Sequence, residues 1–294
     1  MPVPTPSPTV AVLGTGTMGE PMAANLLGAG LPVRVWNRTT AKTRALAERG
    51  AIVADTPREA VAGAGLVVTM LSEGRAVHDT VNPALEAFAE DAVWLQMSTV
   101  GPEWTAELAA LAADAGVAFV DAPVLGTRAP AEQGTLVVLA SGPLRLGQRC
   151  APVFDTVGSR TMWVGLAGAA SKLKLVVNTW LLGLTNAAAE SIALAHLLGV
   201  DPKLFLEAIE GGPLDAAYAH AKGEEMIAGD YPPSFTAALA MKDAELALAS
   251  AGEADLGGLR ATLSHLSAVV ESGHADEDMA VLYRGVTDAP RHGG

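Results

Sequence analysis

Short apolar runs alternate with helical stretches through the first 165 residues of this 294-residue chain. The runs are rich in Val and Leu, which is typical of strands buried on both faces of a parallel sheet. They follow one another as in βαβ units, whose crossovers are right-handed, so the pattern predicts a doubly wound α/β domain. The predicted strands are Val10–Leu13, Val33–Trp36, Leu66–Met70, Val93–Gln96 and Ala118–Asp121, with two further candidates at Leu136–Ala140 and Thr161–Val164. The helices predicted between them include Met18–Gly28, Thr40–Arg49 and Thr105–Ala115.

The pattern changes after Gly168. No convincing strand recurs, and apolar residues repeat about every 3.6 residues, which is the period of an α-helix. Gly and Pro residues break this part of the chain into separate helices. We therefore predict an α/β domain over residues 1–165 and an all-α domain over residues 166–294, entered through one long helix. The predicted helices are Ala170–His196, Pro202–Glu210, Asp215–Ile227, Phe235–Ala251 and Leu259–Ser272, with a last short helix from Asp276.

A glycine-rich turn joins the first predicted strand to the first predicted helix, with Gly14, Gly16 and Gly19 spaced as G-x-G-x-x-G. In a dinucleotide site the first glycine permits a tight turn, the second admits a pyrophosphate, and the third lets the helix pack on the strand. The N–H groups that begin the helix then face the phosphates. Because the spacing lies within a complete βαβ unit, it predicts a Rossmann domain that binds a dinucleotide. The predicted contacts in this turn are Gly14, Thr15, Gly16, Thr17, Met18 and Gly19.

The second predicted strand ends in Asn37-Arg38-Thr39. NAD sites usually place an acidic residue there, about 20 residues after the fingerprint, to hold the ribose 2′-hydroxyl. A guanidinium group pairs with a 2′-phosphate, whereas a carboxylate would repel it. We therefore favour NADP(H) over NAD(H), with Asn37, Arg38 and Thr39 among the residues that bind it. The alternative is that Arg38 is only a solvated residue at the start of a helix.

Composition and charge narrow the class of protein further. A net charge of −13 without a basic block argues against a nucleic-acid partner. The single cysteine, Cys150, suits a reducing cytosol and is expected to be a small buried residue. No Cys and His residues have the spacing of metal ligands, so no metal site is predicted. Since the N-terminal residues lack the basic and apolar runs of a signal peptide, we expect a cytoplasmic protein.

The segment Leu175–Ala189 carries no charged residue, yet its 15 residues are too few to span a membrane. A helix that is apolar nearly all round has to be buried by its own domain or by a second subunit. We expect a homodimer, because one small helical domain offers limited cover for this surface.

Lys174 and Asn178 lie four positions apart in the long predicted helix and therefore share one face. A lysine in an otherwise apolar helix is costly to bury unless it is paired or functional. Its ammonium group has the chemistry of a general acid, which protonates an oxygen as hydride reaches the attached carbon. The alternative is a lysine near the helix end whose ammonium group reaches solvent.

Four segments of the chain resemble the β-hydroxyacid dehydrogenase family, which includes 3-hydroxyisobutyrate dehydrogenases and glyoxylate/succinic semialdehyde reductases. They occur in the family's order and together extend over nearly the whole chain. The resemblance implies an NADP-dependent oxidoreductase acting on a β-hydroxyacid, a short aldehyde or a keto acid, with its site in the cleft between domains. The segments are the fingerprint with Asn37-Arg38-Thr39, then Asp121–Leu136, Gly168–Asn178, and Tyr231–Phe235 followed by Met241–Leu248.

The resemblance also implies roles for individual residues. Lys174 matches the family's catalytic lysine, and Asn178 matches a polar substrate contact beside it. Three of the residues named below have alternative roles. Ser72 could cap a helix, and Lys242 and Asp243 could form an ordinary solvated pair. The further matches are Ser98 and Thr99 near nicotinamide and substrate, Leu71 and Ser72 over the cofactor, Lys242 near cofactor or substrate, Asp243 orienting an amine by charge pairing, and Phe235 as a pocket wall.

One segment departs from the family's pattern. After Pro-Val the family commonly has Ser-Gly-Gly or Ser-Gly-Ser to grip a carboxylate, whereas this chain has Leu125-Gly126-Thr127. The backbone N–H groups of Gly126 and Thr127 and the Thr127 hydroxyl still suit a substrate, but Leu125 makes the pocket more apolar. We therefore expect a looser fit to a very small hydroxyacid, so that a bulkier aldehyde, a keto acid or an imine becomes conceivable.

Two other functions compete with this interpretation. Imine reductases resemble this fold but usually have an aspartate or tyrosine in place of Lys174, and a cationic lysine opposes an iminium substrate. The alternative from another class is a catalytically silent NADP-binding scaffold, yet such relatives typically lose the lysine. Because Lys174 and Asn178 are both present, the sequence favours an enzyme.

Overall fold

The computed structural model describes residues 7–288. The expectation about a signal peptide rests partly on residues 1–6, which lie outside the described residues. The chain divides into two compact units, one ending at Lys174 and the other beginning at Leu175. This boundary falls inside the long helix, so that Lys174 belongs to the first unit.

A six-stranded parallel sheet forms the centre of the first unit. Its strands are β1 (Val10–Leu13), β2 (Val33–Trp36), β3 (Ile52–Val53), β4 (Leu66–Thr69), β5 (Val93–Gln96) and β6 (Ala118–Asp121). Their order is β3-β2-β1-β4-β5-β6, and Val10 lies opposite Val33 on one side and Leu66 on the other. This confirms the predicted doubly wound sheet. The order reverses direction beside β1, the switch point at which such sheets bind dinucleotides.

The strands are apolar throughout because each face of the sheet packs against its own layer of helices. In β1, Val10 and Val12 belong to one buried cluster, whereas Ala11 and Leu13 belong to a second cluster. Successive side chains of a strand point to opposite faces, so burial on both faces produces the continuous apolar run seen in the sequence. The helices of this unit are α1 (Gly19–Gly28), α2 (Arg44–Glu48), α3 (Pro57–Val61), α4 (Gly74–Val81), α5 (Gly101–Asp114), α6 (Arg128–Glu132) and α7 (Gly147–Val157), with 3₁₀ turns at Thr40–Thr43, Asn82–Ala87 and Leu144–Leu146.

Two of the predicted strands belong to a second, smaller sheet rather than to the parallel sheet. This sheet has the order β7-β8-β9, formed by β7 (Val124–Leu125), β8 (Leu136–Ala140) and β9 (Gly158–Trp163). β7 and β8 are antiparallel, while β8 and β9 are parallel. Only two residues separate β6 from β7, too few for the crossover that a parallel neighbour requires. The two sheets meet at a short antiparallel bridge between Asp121 and Ser141.

The second unit is helical, as predicted. Its core includes Leu182, Ile192, Leu266 and Met279, which are buried together. The long helix α8 (Ala169–Leu197) begins in the first unit and continues into the second. The other helices are α9 (Pro202–Ile209), α10 (Ala217–Ala228), α11 (Ala237–Ala249), α12 (Gly257–Val269) and α13 (Leu282–Thr287), with a π-helical turn at Val270–His274 and a 3₁₀ turn at Met279–Val281.

Three further features of residues 7–288 concern membranes, metal ions and the cysteine. No helix in this range is long and apolar enough to cross a membrane. The same residues contain no group of three or more His, Cys, Asp or Glu side chains placed to hold a metal ion. Cys150 is a free thiol buried in the core of the first unit, and this burial raises its pKa to about 12. The thiol is therefore a packing residue and not a reactive one at neutral pH.

Candidate active site

The glycine turn has the shape of a phosphate cradle. A Cβ at Gly14 would lie 2.2 Å from the carbonyl oxygen of Met70, and one at Gly19 would lie 2.0 Å from the carbonyl oxygen of Gly14. The described residues leave the space around Gly16 open to 4 Å. Two glycines thus permit the tight turn and the close packing of α1, while the third presents bare backbone. This arrangement fits the pyrophosphate of a dinucleotide.

Asn37 connects the glycine turn to the end of β2. Its Oδ1 accepts a hydrogen bond of 3.1 Å from the backbone N–H of Thr15, and its Nδ2 donates to the carbonyl oxygen of Thr39 at 3.0 Å. Arg38 and Thr39 are exposed beside this contact. The amide of Asn37 therefore holds the turn and the Arg38 segment together.

Lys42 is a basic residue that the sequence analysis did not select. It lies in the 3₁₀ turn after β2, and its carbonyl oxygen accepts a hydrogen bond of 3.1 Å from the Thr15 hydroxyl. The side chain of Lys42 is exposed. Its position four residues after Arg38 was the signal that could have identified it.

The loops after β4 and β5 are joined through Ser98. The Ser98 hydroxyl accepts a hydrogen bond of 2.8 Å from the Leu71 N–H and donates to the carbonyl oxygen of Thr69 at 3.2 Å. Gln96 lies beneath, where its Oε1 accepts from the Ser98 N–H at 2.8 Å. Ser98 is 1% exposed, so its hydroxyl holds the two loops in register.

Neighbouring residues of these loops are more accessible. Leu71 and Thr99 are half-buried, and Ser72 is exposed. The helix after Ser72 begins at Gly74 with Glu73 in the N-cap position. Ser72 therefore lies outside the cap position that was its alternative role.

Leu125-Gly126-Thr127 forms the end of β7 and the turn into α6. Gly126 has a φ of +121°, and a Cβ there would lie 2.7 Å from the Cδ2 atom of Leu136. Glycine is therefore favoured at this position, directly after Leu125. Leu125 and Thr127 are both half-buried. Thr127 precedes α6, but its side chain makes no capping hydrogen bond there.

The helix α8 carries both Lys174 and Asn178, one turn apart. Lys174 is half-buried, whereas Lys172, two residues earlier, is exposed. Asn178 is almost fully buried. The helix therefore distinguishes its two lysines, since Lys174 lies one turn before Asn178 on the same face and Lys172 does not.

Within the second unit, Asn178 contacts Asp243. The Asn178 amide nitrogen donates to Oδ2 of Asp243 at 2.6 Å, and Nζ of Lys242 lies 3.1 Å from Oδ1 of the same carboxylate. Asp243 is 2% exposed, so Lys242 and Asp243 are not a solvated pair. Phe235 is half-buried, and its backbone N–H donates to Asp278 at 3.1 Å.

Fold and site together define a class of protein. A Rossmann sheet whose glycine turn fits a pyrophosphate is the architecture of a dinucleotide-binding domain, as found in nicotinamide-dependent oxidoreductases. The model of the NAD-binding domain of 6-phosphogluconate dehydrogenase matches residues 9–165. The model of the NAD-binding domain of NADP-dependent 3-hydroxyisobutyrate dehydrogenase matches residues 168–286. The chain belongs to the β-hydroxyacid dehydrogenase family.

Individual relatives agree with this assignment. Glyoxylate/succinic semialdehyde reductase 1 of Arabidopsis thaliana is 35% identical over 83% of this chain and 86% of its own length. The structure of Mycobacterium tuberculosis 3-hydroxyisobutyrate dehydrogenase with L-serine matches with a TM-score of 0.86 and 29% identity, over 95% of this chain and 99% of that chain. An imine reductase from Myxococcus stipitatus shares the fold, with a TM-score of 0.67 and 23% identity over 95% of this chain and 100% of that one.

Proposed function

We propose that this protein is an NADP(H)-dependent oxidoreductase. It oxidises a β-hydroxyacid, or reduces a short aldehyde or keto acid, by hydride transfer to or from the nicotinamide. The observation that carries the proposal is the pair Lys174 and Asn178 on one face of α8, with Asn178 anchored on Asp243. The similarity to a glyoxylate/succinic semialdehyde reductase supports carbonyl compounds of this size.

Each residue has a distinct task in this proposal. When bound, the nicotinamide exchanges a hydride with the substrate carbon. The ammonium group of Lys174 donates a proton to the substrate oxygen during reduction and accepts one in the reverse direction. Asn178 contacts the substrate beside Lys174, and its hydrogen bond to Asp243 fixes the orientation of its amide. Leu125, Gly126, Thr127 and Phe235 contact the remainder of the substrate.

We further propose that NADP(H) is preferred over NAD(H). Arg38 and Lys42 provide two exposed cations after β2. The residue directly after β2, where NAD sites usually have an acidic residue, is Asn37. Two cations suit a 2′-phosphate, which carries more negative charge than a ribose hydroxyl. The remaining cofactor contacts are assigned to the glycine turn, Leu71, Ser72, Thr99 and Lys242.

We propose a homodimer in which a second copy covers an exposed face of α8. This α8 apolar face consists of Val176, Trp180, Leu194 and Leu197, which are 65%, 70%, 55% and 82% exposed. Their spacing places them on one side of the helix. A row of large apolar side chains in water favours association, and a two-fold axis lets the same face cover itself.

A reducing compartment such as the cytoplasm suits a protein whose one cysteine is buried and free.

The proposal is tested by following NADPH oxidation with glyoxylate, succinic semialdehyde and a cyclic imine. We expect turnover with the aldehydes and a fall in kcat of about 100-fold or more for Lys174→Ala. The Kd for NADPH should stay within about twofold, because the cradle is untouched. Lys172→Ala is the matched control, since Lys172 is an exposed lysine on the same helix.

Unchanged turnover in Lys174→Ala would refute the role of the lysine. Turnover of the imine alone would indicate an imine reductase, and NADPH binding without turnover of any carbonyl would indicate a scaffold.

A further inference from the structure

Asp121, the last residue of β6, lies in a closed polar network inside the first unit. Its Oδ1 accepts a hydrogen bond of 2.7 Å from the Ser171 hydroxyl. Its Oδ2 accepts from the Ser171 N–H at 2.9 Å and from the Ser141 hydroxyl at 3.0 Å. Asp121, Ser141 and Ser171 are at most 3% exposed. A carboxylate in this setting is fully committed to its partners.

Asp121 and its partner Ser141 together accept hydrogen bonds from two of the first N–H groups of α8. A helix leaves its first four N–H groups without intrahelical acceptors. Here Asp121 accepts from the N–H of Ser171, while Ser141 accepts from the N–H of Ala170 at 3.0 Å. The residue before the helix, Gly168, has no side chain with which to cap it. Residues 29 and 50 positions earlier in the chain therefore supply the cap.

The cap is also favourable electrostatically. A negative charge at the start of a helix is stabilised by the partial positive charge of the unpaired N–H groups. Burial raises the pKa of Asp121, while the hydrogen bonds from Ser171, Ser141 and Gly168 act in the opposite direction. The hydroxyl of Thr105, itself fully buried, lies 2.9 Å from that of Ser171 and ties α5 to the same point.

Lys174 follows Ser171 by three residues, one turn further along α8. An α-helix rises about 1.5 Å and turns about 100° per residue, so its first turn determines where Lys174 lies. Asp121 also begins the segment that leads, four residues later, to Leu125. One carboxylate thus links the helix that carries the lysine to the strand end that precedes the substrate loop.

We propose that Asp121 is a positioning residue for the reaction, which sets the placement of Lys174 by capping α8 from the end of β6. This inference rests on the proposed function, in which Lys174 is the acid. It is a role of Asp121 through Lys174, without contact with substrate or cofactor.

The test is a double-mutant cycle between Asp121 and Lys174. Asp121→Asn keeps the shape but removes the negative charge and replaces one acceptor oxygen by an N–H-bearing nitrogen, which weakens the cap on the first turn of α8. We expect kcat to fall roughly 10- to 100-fold, the size of effect that small misplacements of a catalytic group produce. The Kd for NADPH should stay within about twofold. In the Lys174→Ala background the same substitution should change the residual rate less than about twofold, because there is no lysine left to place.

A milder substitution at the same contact and a control substitution elsewhere accompany Asp121→Asn. Ser171→Ala removes the hydroxyl contact but keeps the N–H contact to Asp121, so kcat should fall by a smaller factor, about threefold. Asp155→Asn, at an exposed position of α7, is the matched control and should leave kcat unchanged. Circular dichroism and the melting temperature identify any variant that fails to fold.

The outcomes separate the two proposals. If Lys174→Ala is inactive and the cycle is non-additive, Asp121 acts through Lys174. Suppose instead that Lys174→Ala is inactive and that Asp121→Asn lowers kcat by the same factor in wild type and in Lys174→Ala, or changes kcat in neither. The positioning role of Asp121 is then wrong, while the role of the lysine stands. Full activity of Lys174→Ala would overturn the proposed function and this inference with it.

Discussion

The amide nitrogen of Asn178 donates a hydrogen bond of 2.6 Å to Oδ2 of Asp243, which lies 65 residues later on α11. Both side chains are buried. A hydrogen bond to a carboxylate is stronger than one between neutral groups, and a buried one fixes the orientation of the amide. In the proposed function, Asp243 therefore sets the orientation in which Asn178 meets the substrate.

Loss of this contact should affect substrate turnover more than cofactor binding. For Asp243→Ala we expect kcat/KM for an aldehyde to fall about 10- to 100-fold, the equivalent of one charge-assisted hydrogen bond. Steady-state NADPH oxidation measures the effect, with Asp276→Asn at an exposed position as the control. An unchanged kcat/KM would show that Asn178 needs no support from Asp243.

Cofactor preference should depend on Arg38. Removal of its guanidinium group in Arg38→Ala should raise KM for NADPH about 10- to 100-fold, while KM for NADH changes little, since NADH has no 2′-phosphate. Arg49→Ala, at an exposed arginine near the end of α2, is the matched control. Equal changes for the two cofactors would mean that Arg38 does not recognise the phosphate.

The sequence predicts the large regular elements well because burial leaves a clear trace. β1, β2, β5, β6 and β8 have the predicted bounds, and α8 differs from its prediction by one residue at each end. The short strands β3 and β7 were missed, since two residues carry no periodicity. α5 begins at Gly101 rather than Thr105, and Pro102 in its first turn was the overlooked signal.

The candidate site was predictable only where a motif names its residues. The glycine turn follows from its spacing, whereas the roles of Arg38 and Lys174 stay predictions, the latter implied by the family resemblance. The cap from Asp121 to Ser171 does not follow from the sequence, because the two residues are 50 positions apart and meet only after the sheet and α8 have formed. The support that Ser98 gives to Leu71 is hidden for the same reason, with 27 positions between them.

Substrate choice should respond to Leu125. The substitution Leu125→Ser adds a hydroxyl at the turn before Gly126 and Thr127, where a carboxylate could accept its hydrogen bond. We expect kcat/KM for glyoxylate to rise about tenfold and that for a longer aldehyde to rise less, because the smaller substrate depends more on each polar contact. Initial rates with both substrates decide this. A larger gain for the longer aldehyde would be inconsistent with a carboxylate contact at this position.

The oligomeric state should depend on the α8 apolar face. Trp180→Asp places a charge in the proposed interface, where its desolvation opposes association, so we expect dimer to give way to monomer. Light scattering at micromolar concentration gives the mass. Leu144→Asp is the matched control, because Leu144 is exposed to the same extent, 70%, on another element. A wild-type monomer would refute the dimer itself.

The pH dependence of stability should originate partly in a buried cluster of the helical unit. Lys222 pairs with Asp278 at 2.7 Å and with Glu225 at 3.0 Å, so one cation faces two carboxylates. Hydrogen bonds from Lys222 and its neighbours outweigh the effect of burial and lower the pKa of Asp278. Burial raises the pKa of Glu225 to about 7, and the charge of Asp278 adds to this increase although Lys222 opposes it. Of the two carboxylates that face Lys222, Glu225 is therefore the one that takes up a proton near neutral pH.

From the pKa of Glu225 we derive the direction of the effect. In the unfolded chain its pKa returns to 4.5, so between about pH 4.5 and about pH 7 the folded state binds a proton that the unfolded state has released. The free energy of unfolding should fall as pH rises through this window, and level off above it. Glu225→Gln removes this term, so wild type should lose about 1–2 kcal/mol more than the variant between about pH 5 and about pH 8. Urea unfolding measures the difference, with the exposed neighbour Glu224→Gln as control. Parallel losses in wild type and Glu225→Gln would show that Glu225 is ionised throughout this range.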